Sequence, residues 1–79
     1  MRINIAISTV NEAYLANEAE KFATREAMMP YLIMSKSTLN KLMGIAGQDV
    51  VICDDGTYEF RDYKILINES LHFGDVDIR

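Results

Sequence analysis

His72, Asp75 and Asp77 lie close together in the segment NESLHFGDVDIR, and they are the residues whose types could do chemistry most directly. One imidazole and two carboxylates can hold a metal ion or share acid–base work. On an extended strand, Asp75 and Asp77 project to the same side. Gly74 lets the chain turn and re-aim His72 towards or away from them. A second acidic group, Asp54, Asp55, Glu59 and Asp62, crowds one short stretch. A calcium loop places oxygen ligands at regular odd positions and ends on a glutamate at position twelve. Here that spacing fails and Gly56 comes too early. Aspartates that bond neighbouring backbone N–H groups in a turn explain the cluster more simply.

Nucleophilic catalysis is equally poorly served. Cys53 is the only cysteine and sits in VVICDD, beside two carboxylates that oppose the thiolate. His72, the only imidazole, is far from it in sequence. A buried structural cysteine is the simpler reading. Ser35, Ser37 and Ser70 lack a nucleophile-elbow context, and no glycine-rich loop is present to cradle phosphate. A structural zinc takes four ligands, and one cysteine with one histidine supplies two. The expectation is a protein that is not an enzyme, with no cofactor and no metal site.

The elements that must position these residues are read from patterning. TVNE has the form of a capping box, with Thr9 and Glu12 bonding each other's backbone N–H. The alanine- and glutamate-rich stretch behind it predicts an amphipathic helix over 10–27. Leu15, Ala19, Phe22 and Ala23 lie on its apolar stripe, and Pro30 is expected to end it. RINIAIS reads as a short strand and YLIM as a short buried one. Ser35 then caps a helix in KSTLNKLMGIAG, whose Leu39, Leu42, Met43 and Ala46 fall on one face. Gly47 is expected as its left-handed stop. The Asp-Gly of DDGT predicts a hairpin pairing Val50–Cys53 with Thr57–Phe60. Arg61 and Asp62 mark a tighter break. YKILIN is the best strand pattern, and VDIR reads as a last, half-buried edge strand with Phe73 and Leu71 pinning its approach to the core. The expected fold is α+β: one domain over residues 1–79, two helices packed on a small, mostly antiparallel sheet.

Composition bounds the partners. The chain has 79 residues, a net charge of −4 and 49% apolar residues. Its charge is uneven: residues 1–47 carry a net +1 and residues 48–79 a net −5. No Lys or Arg cluster marks a phosphate-binding surface, so no nucleic-acid partner is expected. The apolar runs are far shorter than the roughly 20 residues of a membrane span, and the N-terminal stretch lacks the pattern of a signal peptide. A chain this short has a thin core, and self-association is one remedy that needs no disulfide. Methionines 28, 29, 34 and 43 read mostly as core filler, with Met28 and Met29 also suited to an adaptable contact patch. Met28, Met29, Tyr31, Tyr58, Phe73, Val76 and Ile78 are the expected interface residues, and either sheet edge could pair with another chain.

One resemblance adds to this. PYLIMSKSTLNKLM, then DDGTYEF, then YKILINESLHFGDVDIR together resemble, in order, a segment of the major capsid proteins of tailed bacteriophages. The matching positions are Met34, Ser35, Thr38, Leu39 and Leu42; Asp55, Gly56 and Tyr58; Ile65 to Ile67; and Ser70, Leu71, Phe73, Gly74 and Asp75. Short uncharacterised phage and prophage proteins with the same ending are similar too. The family usually has a glycine at Asp62–Tyr63, and its long arm, extended loop and second domain have no counterpart here. The resemblance implies a phage or prophage product that works by protein contact, in the host cytoplasm or in the virion. The competing expectation is an acidic, monomeric inhibitor or regulator of a host protein, motivated by the acidic C-terminal half.

Overall fold

The computed structural model of the chain describes residues 1–6 and 12–79. The elements run β1 (Arg2–Asn4), α1 (Glu12–Glu26), β2 (Tyr31–Met34), α2 (Lys36–Ala46), β3 (Val50–Ile52), β4 (Tyr58–Phe60), β5 (Tyr63–Ile67) and β6 (Asp75–Ile78). A turn of 3-10 helix, Gly47–Asp49, joins α2 to β3. The fold is α+β, as the patterning predicts. Among the described residues, six strands form one sheet in the order β1-β6-β2-β5-β4-β3. Every neighbouring pair is antiparallel except β2 with β5, which is parallel.

This order fixes where the helices go. β1, β2 and β3 all run in one direction, so α1 and α2 each serve as a crossover between parallel strands, and both crossovers step the same way across the sheet. The right-handed rule for such crossovers then puts both helices on one face. The core lies between the layers: Leu15 and Ala19 from α1 and Leu39, Leu42 and Ala46 from α2 meet Ile3, Leu32, Met34, Phe60, Ile65, Val76 and Ile78 from the sheet. Each of the larger side chains contributes about 1.5–3 kcal/mol when fully buried, and each alanine methyl less.

Local chemistry explains the boundaries. Ser35 has extended backbone angles, and its Oγ accepts from the Thr38 N–H at 3.3 Å, which makes it the cap of α2 that the sequence predicts. A second orphan amide of that helix end, the Lys36 N–H, donates to Glu69 Oε1 at 2.8 Å. That carboxylate also faces the positive end of the helix dipole. Ser35→Ala is therefore expected to cost about 0.5–2 kcal/mol, read as a lower urea midpoint at unchanged slope. Gly47, expected as a left-handed stop, instead has φ −56° and carries the chain into the 3-10 turn. Helix α1 ends before Pro30 acts, because Ala27 already takes φ +54°. The Thr9 half of the predicted capping box lies outside the described residues.

The β3–β4 hairpin has the expected turn. The Cys53 N–H donates to Thr57 O at 2.8 Å, the Gly56 N–H to Cys53 O at 2.9 Å, and Gly56 sits at φ +85°. The β4–β5 link is a two-residue turn with Arg61 at φ +49° and Asp62 at +75°, the left-handed pair a tight hairpin needs.

Strand β6 departs from expectation. It lies inside the sheet, between β1 and β2, and is not an edge. The expectation came from its half-polar alternation. That alternation reflects one covered and one open sheet face, which interior strands of such a sheet share with edge strands.

Candidate interaction surface

The residues singled out for chemistry do not converge. His72 is exposed, and what ties it to Asp75 is backbone: the Asp75 N–H donates to the His72 carbonyl at 3.0 Å. Asp75 Oδ1 accepts from Asn4 Nδ2 at 2.8 Å, and Asp77 Oδ2 accepts from the Arg79 side chain at 2.9 Å. Among the described residues no three His, Cys, Asp or Glu side chains are placed to hold a metal ion. In the hairpin, the Thr57 hydroxyl and N–H both donate to Asp55 Oδ1, at 2.6 and 3.1 Å. The hydroxyl first, and then the amide, hold the Asp55 carboxyl below its ordinary pKa. Asn68 Oδ1 accepts in the same way from the Ser70 N–H and hydroxyl. Both side chains are turn-formers, as aspartate and asparagine often are at such positions.

What the fold does present is apolar surface. Register places Tyr31, Lys64, Glu59 and Val51 side by side in one row across β2, β5, β4 and β3. Ile33 and Leu66 lie side by side in the next row, with Asp77 beside Ile33. These residues point away from the helices, since their alternates Leu32, Phe60, Ile65 and Ile78 form the core. With no helix over it among the described residues, this face leaves Tyr31, Leu66 and Val51 exposed and Ile33 half-buried. A hollow of about 220 Å³ at one end of the face is lined by Met29, Pro30, Tyr31, Glu59, Asp62 and Lys64. A second concavity, about 520 Å³, runs along Asn17, Glu20, Lys21, Thr24 and Arg25, all on α1.

The seven expected interface residues divide accordingly. Met28 and Met29 are exposed, at 56% and 60%, and Tyr31 joins the open face. Of the four methionines read mostly as core filler, Met34 alone is buried; Met43, like Met28 and Met29, is exposed. Tyr58 is half-buried on the helix side, where Lys36 Nζ donates to its hydroxyl at 3.3 Å and sits over its ring. Phe73 stands out in solvent at 55% exposure and does not pin its segment. That anchoring comes from Gly74, whose N–H donates to the buried Thr38 Oγ1 at 2.8 Å. Val76 and Ile78 are fully buried against the helices and are withdrawn from any contact surface. The reason is the interior place of β6, whose apolar side faces the covered layer.

Sequence reasoning did not single out Val51, Ile52, Ile33 or Leu66 as surface. Ile33 lies in a run that reads as buried strand, Val51 and Ile52 in one that reads as a hairpin strand and Leu66 in the best strand pattern, and a run of consecutive apolar residues does not say which side another layer will cover. Among the described residues no helix is long and apolar enough to cross a membrane. Compared with known protein families, curated proteins and solved structures, the chain matches none.

Proposed function

We propose that this chain is a small phage- or prophage-derived structural or interaction protein that self-associates, works by protein contact and performs no catalysis, in the host cytoplasm or in the virion. The observation that carries the reading is the uncovered apolar surface: Tyr31, Ile33, Leu66 and Val51 on the helix-free face, with Met28 and Met29 near its end and Ile52 at its margin. Exposed apolar side chains grouped on one face and rimmed by polar ones, as Tyr31, Ile33 and Leu66 are by Lys64, Glu59 and Asp77, mark contact with another protein. A second copy is the occupant favoured, because edge strand β3, which borders that face, carries neither a charge nor a proline to discourage pairing with another chain.

The competing reading, an acidic inhibitor, needs the carboxylates gathered on one face. They are instead dispersed and in part locally paired. Asp54 and Asp55 lie at the β3–β4 turn and Asp62 at the next turn, while Asp49 pairs with Arg61 at 3.3 Å and Asp77 with Arg79 at 2.9 Å. Sedimentation over a wide concentration series decides the matter. Self-association predicts a weight-average mass that rises with concentration and falls back in Val51→Lys. A single monomeric species throughout overturns it.

A further inference from the structure

We propose that the self-association just described is built on edge strand β3, which pairs antiparallel with β3 of a second copy, centred on Val51 and its symmetry mate. The inference rests on that reading of the function and adds the surface, the partner strand and the register.

The two edges of the sheet differ. β1 carries Arg2 and Asn4, and a charged side chain on an edge discourages further pairing. β3 is Val-Val-Ile, without charge or proline, and Val51 and Ile52 are exposed by 56% and 62%. Ile52 belongs to the helix-facing side by register, since it pairs with Tyr58, yet it lies beyond the cover of that layer.

Backbone geometry then selects the register. Cys53 bonds Thr57 and Asp49 bonds Arg61 across the hairpin, at 2.8 and 3.1 Å. Antiparallel ladders alternate, so Val51 is bonded to Glu59, while Ile52 turns its N–H and C=O outward and Val50 its C=O; the Val50 N–H is already bonded to the Gly47 carbonyl. The Ile52 N–H of each copy finds a partner in the Val50 carbonyl of the other if Val50 faces Ile52 of the second copy and Ile52 faces its Val50. That arrangement puts Val51 against Val51 on the two-fold axis, as a closely spaced pair without hydrogen bonds between them. Charge agrees with this register. Asp49 comes opposite Cys53 of the other copy, and Asp54 opposite Gln48, whose amide can donate to the carboxylate. No carboxylate directly faces another. The row through Val51 continues across the axis, with a Glu59–Lys64 pair on either side of the two valines, and the two helix-free faces merge into one surface.

Val51→Cys in a Cys53→Ser background tests this directly. Across such a pair the Cα atoms stand about 4.5 Å apart, within the range a disulfide spans. The native Cys53 pair would be about 14 Å apart in this register, four residues at roughly 3.4 Å each. On mild oxidation the Val51→Cys chain is expected to form a covalent dimer at least about tenfold faster than Phe73→Cys in the same background, an exposed control away from β3. Ile52→Pro removes an outward donor while leaving the β4 ladder intact, so it should abolish the dimer and keep the monomer's unfolding midpoint. Equal rates for the two cysteine variants, in a chain whose mass still rises with concentration, would overturn the edge pairing and leave self-association standing. A chain that is monomeric at every concentration overturns both.

Discussion

Gly74→Ala is expected to abolish cooperative folding or to bring the protein close to that point, the largest effect of any single methyl group added to this chain. Gly74 sits at φ +89°, and a Cβ built there comes within 2.6 Å of both Ala6 Cβ and Asn4 Oδ1. A left-handed non-glycine residue costs about 1–2 kcal/mol, and overpacking at a buried contact adds about 1–3 kcal/mol. The residue cannot retreat. Its N–H is held by Thr38 Oγ1 at 2.8 Å, and its carbonyl accepts the Ile5 N–H at 2.8 Å. A total of about 2–5 kcal/mol stands against a whole-protein stability of roughly 4–12 kcal/mol at this length, and short chains fall towards the lower end. Urea unfolding followed by circular dichroism reads the result. Gly74→Asn separates the two causes: asparagine tolerates positive φ but carries the same Cβ, so it should be nearly as damaging. A wild-type midpoint for either variant would remove the steric argument.

Val76→Pro is the second large effect, and it contrasts with the edge proline at Ile52. The Ile78 N–H donates to Met1 O at 2.6 Å and the Ile5 N–H donates to Gly74 O at 2.8 Å. By alternation, the pair between them, Ile3 with Val76, is also hydrogen-bonded. Proline at 76 removes that donor and leaves a buried carbonyl unpaired, at about 1–3 kcal/mol. Its ring also intrudes on a fully packed position inside the sheet. A loss of at least about 3 kcal/mol follows once the displaced core packing is added. Had β6 been the edge that its alternation suggests, the same substitution would have spared the monomer and harmed only pairing. Thermal and urea unfolding of the two proline variants side by side therefore tests the strand order itself. Equal midpoints would contradict it.

Much of the local structure was legible in the residues. Ser35 as a cap, the Asp-Gly hairpin and the helical stripe through Leu15 and Ala19 all depend on groups within a few residues of one another, where side-chain chemistry acts on the neighbouring backbone. The expected contact surface was legible only in part. Met28, Met29 and Tyr31 are where a contact surface needs them, while Val76 and Ile78 are buried and Phe73 is free of the core. Gly74 was read as permitting a bend, but its tight approach to Asn4 and Ala6 joins segments about seventy residues apart, which no local pattern encodes.

The sequence by itself determined the element types, most of their boundaries and the α+β class, because periodicity and capping act over a turn or a strand length. Strand order belonged to the tertiary structure alone. The hydrogen-bonding edge of a strand is the same whichever neighbour it meets, so only the packing of the whole chain could place β6 inside and β3 outside. The same packing set both helices on one face. It thereby left Val51, Leu66 and Ile33, the last in a run that reads as a buried strand, on the open face of the sheet.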